Sequence, residues 1–273
     1  MAVLGLVVVA NTSKLGAFYV RMLITILGMG FAASLGILSG IVLFFAQKRE
    51  MINFIVARIY YLTTGTLLGI SFEVEGREIL DQGMPAIVIS NHQSSLDILM
   101  LGCVFPRSCA IVAKKSMRFY PIMGQFMTLA QTVFLDRSNS KTSIDAFRKA
   151  AKQVQKKRVG VWIFPEGTRA HFTENDLLPF KKGAFHLATQ AKVPIIPVVV
   201  ENYSHIYDSK SKAFTSGVIK VKVLPPIPTE NLTDDKESTD ALRDQARDAM
   251  LIALKEMSSH RRATDIDLVK KIE

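Results

Sequence analysis

Two short stretches of this chain hold residue types that move protons and bind anions. Asn91-His92-Gln93-Ser94-Ser95-Leu96-Asp97 places an imidazole five positions before a carboxylate. His92 can act as a general base, and Asp97 can hold its other ring nitrogen in the productive tautomer. Residues five apart on one ideal helix point about 140° apart, so the pairing needs His92 in a turn and Asp97 in the first helical turns. Ala86–Ser90 reads as a buried strand and Ser95–Gly102 as a helix, which supplies that boundary. The plainer reading is a surface-turn histidine beside a helix-start acid.

The second stretch, Pro165-Glu166-Gly167-Thr168-Arg169, follows the strand-like run Val159–Phe164. An arginine forks onto phosphate oxygens while a carboxylate accepts from a hydroxyl, so this turn suits a hydroxylated anion. An ordinary Glu–Arg ion pair in a tight turn explains it equally simply. Asp136-Arg137 follows Leu135, Lys114-Lys115 follows another strand-like run, and Lys181-Lys182-Gly183 precedes a helix. Ser94 and Ser95 are near enough to His92 to serve as nucleophiles, but the chain has no G-x-S-x-G elbow. Cys103 and Cys109 lack the second pair a zinc site needs, and His171, His186, His205 and His260 read as structural or surface residues.

The elements that must position these groups form an alternating series. Ala110–Ala113, Thr132–Leu135, Ile195–Glu201 and Val218–Leu224 join the two strands above, and Lys141–Lys157 is an amphipathic helix with Ile144, Phe147, Ala151 and Val154 on one face. Alternation of this kind predicts an α/β fold on a largely parallel mixed sheet flanked by helices. Open sheets of that class place their sites beyond the carboxyl ends of strands, where both stretches fall. After a polar break at Asn231–Lys236, Asp240–Met257 reads as a C-terminal amphipathic helix.

The 273 residues carry a formal net charge of +10 while 49% are hydrophobic, with mean hydropathy +0.23. A nucleic-acid binder explains the charge but not the hydropathy; membrane attachment with an anionic substrate explains both. The apolar residues concentrate at the front. Met22–Gln47 runs 26 residues without a charge, about 39 Å as a helix, so it can cross a bilayer core or form a re-entrant pair broken near Gly28, Gly30, Gly36 and Gly40. Gly36 and Gly40 have the G-x-x-x-G spacing that lets helices approach closely, a spacing that also arises by chance in such runs. Met51–Leu68 is a second apolar segment, interfacial or core-forming, with the single charge Arg58. The division expected is membrane-anchoring helices over 1–71, an α/β domain over 72–230 and a helical tail over 231–273.

Taken in order, Asn91-His92 to Asp97, Phe134-Leu-Asp-Arg137, Phe164 to Arg169 and Val193-Pro-Ile-Ile-Pro197 resemble the blocks of the glycerolipid acyltransferases, whose hallmarks are N-H-x-x-x-x-D and F-P-E-G-T-R. Ala113-Lys-Lys-Ser, Pro121-Ile-Met-Gly124 and Leu178–Phe185 fit between them. The match covers roughly residues 50–225 and looks most like the fungal 1-acyl-sn-glycerol-3-phosphate acyltransferases. The resemblance implies a single acyltransferase domain that moves an acyl group from acyl-CoA to the sn-2 hydroxyl of lysophosphatidic acid, forming phosphatidic acid. Carried over residue by residue, His92 is the base and Asp97 orients it. Arg137 and the turn Glu166, Gly167, Thr168 and Arg169 bind the glycerol phosphate, with Lys115 or Lys114 assisting. No acyl-enzyme is implied, because a thioester is already activated. No cofactor or metal is implied either; acyl-CoA is a co-substrate, membrane lipids are partners and nucleic acid is not.

The same motifs serve sibling enzymes that use glycerol-3-phosphate or another lysophospholipid. A transacylase independent of CoA fits the Thr168-Arg169 ending less well, and a non-enzymatic anionic-lipid scaffold leaves the ordered motifs unexplained. Lys270-Lys271-Ile272-Glu273 matches a dilysine retrieval signal of the endoplasmic reticulum, which requires a cytosolic terminus. Lipid droplets are a second address for such a chain. Sequons at Asn11, Asn202 and Asn231 test sidedness, since a glycan on either of the last two would place the α/β domain in the lumen.

Overall fold

The structure is a computed structural model that describes residues 13–136, 140–170 and 175–270. The elements in chain order are α1 (Lys14–Phe45), α2 (Ile52–Tyr60), β1 (Ile70–Glu75), α3 (Arg77–Gln82), β2 (Ile87–Ser90), α4 (Asp97–Val104), β3 (Cys109–Lys114), α5 (Met123–Leu129), β4 (Val133–Leu135), α6 (Ser140–Lys157), β5 (Gly160–Ile163), α7 (Gly183–Ala191), β6 (Ile195–Val200), the two-residue strands β7 (Tyr207–Asp208) and β8 (Ala213–Phe214), β9 (Gly217–Val223) and α8 (Lys236–Lys270). The main sheet has seven strands in the order β1-β9-β6-β2-β5-β3-β4, while β7 and β8 pair separately. The expected mixed α/β class is therefore the observed one.

The chain divides into two compact units, one of Met1–Glu73, Ser95–Arg137 and Tyr203–Ile219, the other of Val74–Ser94, Ser138–Asn202 and Lys220–Glu273. In the first, α1 is a continuous 32-residue helix whose N-cap Ser13 accepts from the Gly16 amide at 2.9 Å. The glycines do not break it, so the expected alternative of a pair broken at these positions is not what forms. They are packing positions instead, on a buried stripe of Phe18, Thr25, Ala32, Ala33, Gly36 and Gly40. A Cβ at Gly36 would lie 2.4 Å from Val56 and 2.8 Å from Phe126, and one at Gly40 would touch Ile52 and Leu129. Close approach of α2 and α5 thus requires glycine at position 36, while Gly40 sits at ordinary contact distance. The opposite face of α1 exposes Ile26, Leu27, Phe31, Leu38, Val42 and Phe45. The next segment passes from a 3-10 turn (Arg49–Met51) through α2 and a π turn (Tyr61–Gly65) into a last α turn. Lys14–Phe45 and Arg49–Leu68 are both long and apolar enough to cross a membrane. Arg49 donates twice to the Leu129 carbonyl, at 3.2 and 3.0 Å, and the buried Asn53 amide donates to the carbonyls of Cys109 and Ala130. β3 and β4 pair in parallel, Val112 opposite Val133.

In the second unit β2 lies between β5 and β6, parallel to both, with Val88 opposite Trp162 and Ile196. All three strands are buried throughout, as the uninterrupted apolar runs of a parallel sheet require. β9 returns antiparallel along β6, Val199 opposite Lys222. α8 buries Leu242, Ala246, Met250, Ala253, Leu254 and Met257 on one stripe. Arg247 ties it down by donating to the Leu177 carbonyl at 2.6 Å.

Candidate active site

The second unit builds the surroundings of His92. Where β2 ends, the Asn91 side chain continues its ladder: Nδ2 donates to the Val200 carbonyl and Oδ1 accepts from the Val200 amide, both at 2.9 Å. Gln93 donates to the carbonyls of Val200 and Glu201 at 3.1 and 2.9 Å. His92 sits between these clamps and leaves the strand direction. Its amide donates to Glu166 Oε1 at 2.8 Å, and its carbonyl accepts from Ala170 N–H at 2.8 Å. The imidazole stacks on Phe164, centroids 4.2 Å apart and planes at 26°. Backbone, flanking side chains and ring face are all constrained, which is the preorganisation a general base needs.

Glu166 has a role the sequence did not suggest. It is only 2% exposed, and its second oxygen accepts from the Leu178 amide at 3.0 Å. One carboxylate therefore binds the His92 turn to the 177–182 segment, with both oxygens engaged on backbone amides. Gly167 adopts a left-handed backbone (φ +71°), and a Cβ there would come within 2.8–3.0 Å of the Lys181 side chain, its Nζ included. The Lys181 amide also donates to the Pro165 carbonyl at 2.8 Å. Thr168 and Arg169 are exposed. Glu166, Gly167, Thr168, Arg169 and His92 are thus brought together, and Lys181 joins them. The lysine had a signal, its place in the Lys-Lys-Gly run, but lysines in a basic chain are usually solvated.

The first unit holds Asp97 at the start of α4, fully buried, with Oδ1 accepting from the Tyr203 hydroxyl at 2.6 Å. Tyr203 lies 106 residues further on, and no sequence pattern links the two. Lys114 is exposed at the end of β3, and Lys115 pairs with Asp136 at 3.2 Å. Arg137 falls outside the described residues, as does His171. Ser94 is buried, and both cysteines are buried thiols rather than a disulfide pair. His186 pairs with Asp234 at 2.7 Å on α7, and His205 is exposed. Among the described residues no group of three or more His, Cys, Asp or Glu gathers where it could hold a metal.

Known proteins resemble this chain in sequence and in fold. The family model "Acyltransferase" matches residues 71–201, from β1 through the clamp on β6. The 1-acyl-sn-glycerol-3-phosphate acyltransferase of Saccharomyces cerevisiae is 42% identical over 240 residues, covering 88% of this chain and 78% of that one. The human 1-acyl-sn-glycerol-3-phosphate acyltransferase alpha is 40% identical over 225 residues, 82% of this chain and 78% of its own. Among solved structures, the 1-acyl-sn-glycerophosphate acyltransferase PlsC of Thermotoga maritima superposes with a TM-score of 0.66 at 27% identity, covering 87% of this chain and 96% of that one. With identities of about 40% over more than four fifths of its length, the chain belongs to the 1-acyl-sn-glycerol-3-phosphate acyltransferase family.

Proposed function

We propose that the protein transfers an acyl group from acyl-CoA to the sn-2 hydroxyl of 1-acyl-sn-glycerol-3-phosphate, releasing CoA and phosphatidic acid. The observation that carries this reading is the fixed imidazole of His92 in a turn bound to the Glu166–Arg169 loop. His92 takes the proton of the acceptor hydroxyl as its oxygen attacks the thioester carbonyl. The tetrahedral intermediate collapses, the C–S bond breaks, and the departing CoA sulfur receives that proton from His92. No enzyme nucleophile enters, so Ser94 can stay buried. Asp97 is the orienting acid of the motif, and Tyr203 positions its carboxylate. Arg169, Arg137 and Lys115 hold the acceptor phosphate, with Lys114 and Lys181 adding positive charge. Glu166 acts through the backbone of His92 as a positioning residue.

The relatives named above act on this acceptor by name, which supports lysophosphatidic acid over glycerol-3-phosphate. We also propose that residues 1–71 anchor the protein to the membrane, that 72–230 carry catalysis and 231–273 the helical tail. The catalytic part then faces the cytosol at the endoplasmic reticulum, where acyl-CoA is supplied. Lys270 lies at the end of α8, and 271–273 fall outside the described residues.

The test is CoA release by purified protein with lysophosphatidic acid or glycerol-3-phosphate, across several acyl-CoAs. Release is expected only with the first acceptor and is expected to vanish in a folded His92→Ala protein. Near-normal activity of that variant would sink the mechanism, and preference for glycerol-3-phosphate would sink the substrate.

A further inference from the structure

Beyond the lysines assigned to the acceptor phosphate, the segment Lys114–Met123 carries an apolar surface that has no part in the proposed reaction. Phe119 is 79% exposed, the most exposed large hydrophobic side chain among the described residues, and Tyr120 and Ile122 beside it are 54% and 45% exposed. Three large apolar groups within four positions form a patch that water disfavours. They are not on a slack loop. A 3-10 turn (Lys115–Phe119) leads into them, and the Met123 amide donates to the Pro121 carbonyl at 2.6 Å around Ile122, whose φ is +62°. That three-residue turn is rare and strained for a β-branched residue, and it holds Ile122 outward. Gly124 closes the knob: a Cβ there would stand 2.0 Å from the Arg118 carbonyl oxygen.

The knob is attached to α1 through the helix that follows it. α5 packs along the glycine stripe, Phe126 at Gly36 and Leu129 at Gly40. Its position is thus fixed against the helix whose outer face exposes Ile26, Leu27 and Phe31. Its charge has one sign. Lys114, Lys115 and Arg118 are exposed around the aromatic tip, and no Asp or Glu occurs between Asp97 and Asp136. Aromatic groups with basic neighbours, held beside an apolar helix, are the composition of an interfacial anchor on an anionic leaflet.

We propose that the Lys114–Met123 knob is a second membrane-contacting element, with Phe119, Tyr120 and Ile122 inserted among the headgroups of an anionic bilayer. The inference rests on the reading that α1 lies in that bilayer. Its consequence for the reaction is placement, since Lys115, assigned to the acceptor phosphate, stands at the base of the knob.

The test uses the full chain in vesicles of phosphatidylcholine and phosphatidylglycerol brominated near the headgroup. The chain's single tryptophan, Trp162, is fully buried and serves as an internal reference. In Phe119→Trp, the intensity added by the new tryptophan is expected to be largely quenched, less so when the bromines lie deep in the acyl chains. Leu27→Trp, on the exposed face of α1, is the control. Quenching of Leu27→Trp without quenching of Phe119→Trp overturns the inference and leaves the membrane reading intact. No quenching of either overturns the membrane reading and the inference with it. Equal quenching in pure phosphatidylcholine refutes the anionic preference. An emission shift of Phe119→Trp that appears without lipid and grows with protein concentration assigns the knob to contact between protein copies instead.

Discussion

At the scale of single residues, the candidate site is an arrangement of backbone anchors around one imidazole. Glu166 offers the sharpest test. Glu166→Ala removes the acceptor of two part-buried amides, those of His92 and Leu178, at up to about 1–3 kcal/mol each. A lower Tm and a large fall in kcat are expected, with the KM for acyl-CoA little changed. Glu166→Gln keeps one acceptor oxygen and should recover part of both, which thermal melts and steady-state kinetics would read out. Tyr203→Phe removes the hydroxyl that donates to the wholly buried Asp97; a stability loss of about 1–3 kcal/mol is expected with an accompanying fall in kcat. Denaturant unfolding and CoA release check this, and an unchanged kcat would remove Tyr203 from the positioning of Asp97. His92, Asp97, Glu166 and Arg169 are legible in the sequence because their types recur after strand-like runs. The partners that hold them are not. Tyr203 reaches Asp97 across 106 residues, and the engagement of Glu166 by amides leaves no trace in residue type.

At the scale of elements, the most legible were those buried on both faces. β2, β5 and β6 appear in the sequence as unbroken apolar runs because neither face meets water. α3, α5 and the β7–β8 hairpin escaped notice, being too short to show a period; seven residues of α5 make barely two turns. The glycines of α1 read equally well as breaks or as contacts, and only the neighbours decide. Gly36→Leu should therefore destabilise the packing of α1 on α2 and α5, by about 1–3 kcal/mol for an overpacked site, with Gly30→Ala, which meets nothing within 4 Å, as the neutral comparison in a thermal melt. The start of α8 gives a pH prediction. The Thr233 hydroxyl and then the Ser238 amide donate to Asp235, pulling its carboxyl down to about 2. Its unfolded value is about 3.9, so the cap contributes fully above that value and is lost as pH falls toward 2. Amide exchange in the first turn of α8 should quicken over that window, and Asp235→Ala should abolish the pH dependence.

For the molecule as a whole, the opposition of charge and hydropathy resolves along the chain. Apolar excess belongs to the first 70 residues, whereas Arg107–Lys192 carries 16 Lys and Arg against 5 Asp and Glu. A field of that sign draws in phosphates and weakens with ionic strength. The KM for the phosphorylated acceptor is therefore expected to rise several-fold between low and high salt with kcat little altered, as a salt series of initial rates would show. A different consequence follows from the two-point bond of the Asn91 amide to Val200. An amide does not ionise in the working pH range, so no titration opens this lock, and its vulnerability is slow chemical loss of the amide nitrogen. Deamidation would exchange the donor facing the Val200 carbonyl for an oxygen, setting acceptor against acceptor beside His92. A change of one atom there would loosen the end of β2 next to His92 and weaken the fold with it.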